Sequence, residues 1–324
     1  MPNTDARPGI GPWLCIACLS AFLVAGCGGN SGSTPLSQGE ARSGGGGGLV
    51  VVATTGMIAD AARRVGGDRA VVTALMGPGV DPHLYQPTAR DRAQLKEADL
   101  ILYNGLHLEG RMVELFEHLA RSKPAVAISR DLTSEQLLSW NDSGGMHDPH
   151  IWFDVALWQQ AVATIVRALA QADPEHSAQY NERGALYLAE LAELDRYCRA
   201  RIAEIPEQQR VLITSHDAFH YFGRAYGLEV VGIQGISTDS EAGLKALTDA
   251  IDLIRERRVR AIFPETSVPR AAIERVAKDS GALLGTELYS DALGPPEELA
   301  GTYAGMIRFN VDAIVDALMG IESR

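Results

Sequence analysis

The chain has 324 residues, of which 46% are apolar and 22% are charged, and its formal net charge is −12. This composition predicts a globular fold with a substantial core and excludes an intrinsically disordered chain. No basic segment is concentrated enough to suggest a nucleic-acid partner.

The first 27 residues have the features of a secretory leader. Arg7 precedes an apolar run over residues 13–25, which is too short to span a bilayer and is typical of a signal-peptide core. The run ends in Leu-Val-Ala-Gly-Cys27, which resembles the bacterial lipobox, whose cysteine is lipid-modified. An ordinary signal peptide that happens to contain cysteine is the alternative. The Gly/Ser-rich residues 28–48 favour the lipobox, because such a segment is typical of a flexible tether. We therefore expect an extracytoplasmic protein, periplasmic or on the cell surface, anchored to a membrane by lipid on Cys27.

Cysteine usage limits the chemistry of the folded body. Cys15 and Cys18 lie in the leader, Cys27 would carry lipid, and Cys198 is the remaining cysteine. A disulfide within the mature chain and a cysteine-based zinc site are both excluded. A metal site would have to use histidine and carboxylate ligands.

Residues 49–174 are predicted to form a first α/β lobe, because short apolar runs alternate with helical segments and end at glycine or asparagine signals. Strands are predicted at 49–54, 70–76, 100–103 and 125–128, and helices at 57–65, 89–98 and 154–172.

A long helix is predicted over residues 175–205. Its apolar residues recur mostly at steps of 3, 4 or 7, which places them on one face. About 30 residues would span roughly 45 Å, enough to bridge two lobes.

Residues 206–324 repeat the α/β pattern and are predicted to form a second lobe. Strands are predicted at 211–214, 229–233, 261–263 and 282–286, and helices at 218–226, 241–257, 270–278 and 297–319. The predicted fold therefore has two lobes, each with a mainly parallel sheet flanked by helices, and a cleft between them. Ligands of parallel sheets bind beyond the carboxyl ends of the strands.

Three histidines lie in loops or at strand ends, where helix or core packing does not explain them. His83 and His150 each end an Asp-Pro-His tripeptide, and His216 follows a predicted strand. The proline restricts the backbone before the histidine, and the aspartate could orient its imidazole. Asp291 follows the last predicted strand.

Three imidazoles and one carboxylate suit zinc and also accept manganese, iron or cobalt, whereas calcium and magnesium prefer all-oxygen sites. A single loop histidine is more often a surface or hydrogen-bonded residue than a ligand. The common placement of these residues, in both halves, is what favours a metal site.

Four further residues are weaker candidates. His147 could be an auxiliary ligand but is better explained as a solvated loop residue. His220 lies four residues after His216, which we expect at a helix N-terminus, and is better explained by packing or exposure. His107 is expected to be structural. Glu265, after a predicted strand, could accept a hydrogen bond from a ligand imidazole.

Several ordered motifs resemble the zinc/manganese class of ABC-transporter solute-binding proteins over nearly all of residues 49–319. These motifs are Gly-Val-Asp-Pro-His83 with Tyr85, Asn104-Gly-Leu-His-Leu-Glu109, Asp148-Pro-His-Ile-Trp152, Thr214-Ser-His-Asp-Ala-Phe219, Gln234-Gly-Ile-Ser237 and Tyr289-Ser-Asp-Ala292. The resemblance implies a monomeric binding protein that delivers zinc or manganese to a membrane permease. It also implies that His83 and His150 from one lobe and His216 and Asp291 from the other hold the ion.

The resemblance leaves the metal open. Some members that resemble manganese-selective proteins carry glutamate at the position of His216, so this histidine favours zinc. Many zinc-dedicated members carry a His- and acid-rich loop before the second ligand, and residues 134–146 contain no such run.

Three other functions have less support in the sequence. A metallohydrolase would need an open coordination position and a nearby general base, and the sequence has neither a His-Glu-x-x-His motif nor a nucleophile elbow. We therefore expect no enzyme. A two-lobe binder of a siderophore or cobalamin would need a wide cleft lined by aromatic or arginine side chains. A role in cell adhesion has no motif in this sequence and stays open.

Overall fold

The structure is a computed structural model that describes residues 48–140 and 145–321. The predicted leader, Cys27 and all of the predicted tether except Gly48 lie outside these residues. Within the described part of the chain, every helix is too short or too polar to cross a membrane.

The first half of the described chain contains a four-stranded, all-parallel sheet in the order β2-β1-β3-β4. Its strands are β1 (Leu49–Ala53), β2 (Ala70–Ala74), β3 (Leu100–Tyr103) and β4 (Ala125–Ala127), and its helices are α1 (Gly56–Gly66), α2 (Ala89–Glu97) and α3 (Val113–Leu119). Val51 and Val52 point to opposite faces of the sheet and both are buried, because helices cover both faces.

The second half is also α/β, but its four strands form two two-stranded sheets. Its strands are β5 (Val211–His216), β6 (Glu229–Gln234), β7 (Ala261–Ile262) and β8 (Leu283–Leu284), and its helices are α6 (His220–Tyr226), α7 (Leu244–Arg257) and α8 (Ala271–Ser280). Strands β5 and β6 are parallel, as are β7 and β8. An isolated parallel bridge between Thr214 and Phe263 links the two pairs.

The described chain also has three long helices: α4 (Val155–Ala172), α5 (Ser177–Ile202) and α9 (Tyr303–Met319). Helix α5 packs against α1 and α4 and also against α6 and α9, so it contacts elements of both halves. Its 26 residues span about 39 Å. The predicted α/β fold with parallel sheets and one long linking helix is confirmed. The exact lobe boundaries at residues 174 and 206 stay a prediction.

Several predicted boundaries are wrong, and local backbone geometry explains them. Strand β5 continues to His216, which pairs with Gln234, so the next helix begins at His220 rather than at 218. Helix α9 begins at Tyr303 rather than at 297, because the Thr302 side chain accepts the Gly305 amide and caps it.

Other differences concern helix ends. Helix α7 begins at Leu244 rather than at 241, since Gly243 has an extended backbone. The long helix covers Ser177–Ile202 rather than 175–205, and a 3₁₀ turn, Pro174–His176, precedes it. Helix α3 was not predicted.

Gly184 provides a test of how closely α5 packs on α4. A Cβ atom at this position would lie 2.5 Å from Cγ2 of Val166. In an exposed helix, glycine-to-alanine stabilises by up to about 1 kcal/mol. Here we expect Gly184→Ala to lower the free energy of unfolding by about 1–3 kcal/mol, because the methyl group overpacks the contact. Urea denaturation would measure it.

The matched control is the same substitution in a Val166→Ala background, where space is available. There Gly184→Ala should cost little or stabilise. A Gly184→Ala variant at least as stable as the parent would contradict the close approach of α4 and α5.

Candidate metal centre

Four side chains from different segments meet where the carboxyl ends of the strands of both halves face each other. His83 lies in the loop after β2, and His150 immediately precedes a 3₁₀ turn that leads into α4. His216 is the last residue of β5, and Asp291 lies in the segment after β8. All four are buried, with exposed fractions of 0–4%. The four residues predicted from sequence are therefore brought together.

Their ligand atoms form one compact group within 4.8 Å of one another. Nε2 of His83 lies 3.3 Å from Nε2 of His150. Asp291 presents one carboxylate oxygen 3.5 Å from His150 Nε2 and the other 3.3 Å from His216 Nε2. The four side chains thus converge on one point.

Two of the three imidazoles are oriented by a buried carboxylate. His150 donates from Nδ1 to Asp148 Oδ1 over 2.7 Å, and His216 donates from Nδ1 to Glu265 Oε2 over 2.5 Å. Each carboxylate also accepts the backbone amide of the same histidine. Because Nδ1 of each ring is used in this way, Nε2 is directed into the centre, the arrangement common around metal-bound histidines. Glu265 therefore lies where the sequence predicted it.

Asp81 has a different role, although it belongs to the same Asp-Pro-His tripeptide. Its Oδ1 accepts the backbone amide of His83, and its Oδ2 accepts the Thr238 hydroxyl. The suggestion that the aspartate orients the imidazole thus applies to Asp148 and is wrong for Asp81.

The donor set has the dimensions of a metal site. With bonds of about 2.0–2.1 Å to a tetrahedral ion, neighbouring ligand atoms lie about 3.3 Å apart, close to the distances found here. His216 Nε2 and Asp291 Oδ1 are buried with no hydrogen-bond partner among the described residues. Buried polar atoms without partners are costly, and a cation at this point satisfies both. The site can hold a divalent transition metal.

A comparison with protein families agrees with a role in metal binding. The model of the family described as "ZnuA: Zinc-uptake complex component A periplasmic" matches residues 51–317. The chain belongs to the ZnuA family.

Relatives and solved structures agree with the family assignment. This ZnuA-family chain is 41% identical over 304 residues to "Manganese-binding lipoprotein MntA" of Bacillus subtilis, covering 92% of this chain and 96% of the relative. It is 29% identical to "Metal ABC transporter substrate-binding lipoprotein SloC" of Streptococcus mutans, covering 82% of this chain and 89% of the relative. The structure of the periplasmic zinc-binding protein TroA from Treponema pallidum superposes with a TM-score of 0.82 at 43% identity. That alignment covers 84% of this chain and 99% of TroA.

The remaining candidate histidines of this ZnuA-family protein lie outside the cluster. His147 forms an isolated antiparallel bridge with Ser139. His220 begins α6, is about one-third exposed, and lies 3.7 Å from Asp217. His107 has a left-handed backbone with φ of 63° in the loop after β3. That loop is anchored by buried Glu109, which accepts the Thr54 hydroxyl and the Asn104 amide.

Sequence reasoning missed three side chains around the centre. The Ser267 hydroxyl lies 3.4 Å from Asp291 Oδ2, and the Trp152 ring packs edge-on against His150. Thr238 contacts Asp81 from the loop before α7. Ser267 and Thr238 are common loop residues with no periodic signal. Trp152 ends the Asp-Pro-His-Ile-Trp motif, and nothing in that motif predicts its contact with His150.

In the metal-free protein, burial and neighbouring charges shift the pKa values of His83 and His216 in opposite directions. Burial lowers the pKa of His83 to about 4. Burial also opposes the charged form of His216, but the Glu265 and Asp291 carboxylates outweigh it and raise the pKa of His216 well above 6.5. Burial would raise the pKa of Asp291, yet the charge on His216 holds it well below the usual range.

These pKa shifts predict proton release when the ion binds. The raised pKa of His216 favours a proton on Nε2 that the metal must displace, whereas the lowered pKa of His83 favours the neutral ring. We expect about one proton to be released per ion at neutral pH, and the apparent affinity to rise with pH until the pKa of His216 is passed. Calorimetry in buffers of different ionisation enthalpy measures this number.

Glu265→Gln is the matched variant, because it removes the charge that raises the pKa of His216. It should release fewer protons and bind metal about 10–100-fold more weakly. Wild-type protein that releases no proton on metal binding at neutral pH would contradict the claim that the metal displaces a proton from His216.

Proposed function

We propose that this chain is the extracytoplasmic solute-binding component of an ABC importer. Its cargo would be zinc or manganese, held by His83, His150, His216 and Asp291 and delivered to a membrane permease. The observation that carries the proposal is the convergence of four buried ligand side chains from both halves of the fold on one point.

A binding role is supported over catalysis by the way the ligands close the site. A catalytic zinc usually keeps one position open for water beside three protein ligands. Here four protein side chains face the ion, and each is at most 4% exposed. The family is described as a zinc-uptake component, and the relatives MntA and TroA are named as metal-binding proteins. We therefore propose no enzymatic activity.

The cargo class follows from the donor atoms. Three imidazole nitrogens and one carboxylate match tetrahedral zinc. Both oxygens of Asp291 face the histidines, so a bidentate carboxylate would give five donors, which manganese accepts more readily than zinc does. Both metals are named among the relatives, manganese for MntA and zinc for TroA.

Metal binding is tested by calorimetry on residues 48–324 with zinc and with manganese. We expect one ion of either metal per chain. We also expect loss of at least about 100-fold in affinity in a His83→Ala, His216→Ala double variant, because two of four bonds to the ion are removed. His118→Ala, on the exposed face of α3, is the control and should bind like wild type.

Two results would overturn the proposed site. One is unchanged affinity in the double variant that retains the wild-type fold by circular dichroism. The other is wild-type protein that binds neither metal.

Membrane attachment is proposed to depend on lipid on Cys27. The support is the lipobox-like sequence before Cys27 and the lipoprotein names of MntA and SloC. With the protein expressed in a bacterium fed an alkyne fatty acid, wild type should incorporate the label and Cys27→Ser should not. Cys198→Ser, which changes the buried cysteine of α5, should label normally. Label retained by Cys27→Ser would contradict the anchor.

A further inference from the structure

Thr238 links the second half of the chain to the loop that carries His83. It lies in residues 235–243, the loop between β6 and α7, here called the β6–α7 loop. Its hydroxyl donates to Asp81 Oδ2 over 2.5 Å, across a sequence separation of 157 residues. The other oxygen of Asp81 accepts the His83 backbone amide over 2.8 Å. A single carboxylate therefore connects Thr238 to a proposed metal ligand.

The β6–α7 loop is itself fixed to the second half. The Gln234 side chain, at the end of β6, donates to the Thr238 carbonyl over 3.1 Å and to the Ser240 carbonyl over 2.5 Å. Strand β6 pairs with β5, whose last residue is His216. Thr238 thus holds a defined position relative to the ligands of the second half.

Among the four proposed ligands, His83 depends most on a contact from the other half of the chain, the hydrogen bond from Thr238 to Asp81. The rings of His150 and His216 are each held by a buried carboxylate. For His83 the neighbouring carboxylate holds the backbone instead, and that carboxylate is held in turn by Thr238. A hydrogen bond to a charged group contributes more to stability than an exposed ion pair does. The nearby pair of Arg111 and Asp239 is of the exposed kind, with both side chains roughly half accessible.

We propose that Thr238 is a positioning residue that keeps the His83 loop closed on the bound ion and sets the rate at which the ion leaves. This inference rests on the proposed metal-binding function. Because the four ligands are buried, the ion departs only when a ligand-bearing segment moves away. The geometry points to the His83 loop as that segment and to the Thr238–Asp81 hydrogen bond as the contact that must break first. A permease that displaces the β6–α7 loop would release the cargo without touching a ligand.

The test compares Thr238→Val, which keeps the shape and removes the hydroxyl, with Thr238→Ser, which keeps the hydroxyl. Dissociation is followed by transfer of zinc from loaded protein to an excess of chromogenic chelator. We expect about 10-fold faster release from Thr238→Val, the effect of losing roughly 1.4 kcal/mol, and near wild-type release from Thr238→Ser. Thr248→Val, on the exposed face of α7, is the matched control and should behave as wild type.

A second readout separates closure from ligand geometry. The absorption spectrum of the cobalt-loaded protein should be the same in wild type and Thr238→Val, because the four ligands are unchanged. Equal release rates in these two proteins would overturn the inference, and so would an altered cobalt spectrum. The proposed function fails separately, if wild type takes up neither zinc nor manganese.

Discussion

The central constraint on this structure is the burial of three imidazoles and three carboxyl groups next to one another. Asp291 faces the ligand atoms of the histidines, while Asp148 and Glu265 bind the far sides of two rings. Burying charge in this way is costly unless an opposite charge is close. A divalent cation supplies that charge, and without one a proton on His216 supplies part of it. The centre is thus suited to a cation, and the same carboxylates that orient the rings make protons the natural competitor.

The fold provides this arrangement through strand ends and one long helix. Each half has parallel strands, so loops that follow the strands gather at one edge. Helix α5 contacts helices of both halves along its buried stripe and so limits how far they separate. The contact from Thr238 to Asp81 is one place where the two halves meet directly at the ligands.

Much of this could be predicted from sequence because the signals are local. Apolar strands separated by helices indicated parallel sheets, and histidines at strand ends and in Asp-Pro-His tripeptides indicated the ligands. Helix starts failed where a single cap or one more strand pair decided the boundary, as at Thr302 and His216. The contrast between Asp81 and Asp148 could not be predicted, since the two tripeptides have the same sequence and differ only in their structural surroundings. Thr238 was missed for the same reason, because its partner lies 157 residues away.

The most direct test of this account is a crystal structure of the zinc-loaded protein with anomalous diffraction data collected at the zinc absorption edge. We predict a strong peak with His83 Nε2, His150 Nε2, His216 Nε2 and a carboxylate oxygen of Asp291 at about 2.0–2.2 Å. Zinc bound at any other group of side chains, with these four left uncoordinated, would contradict it.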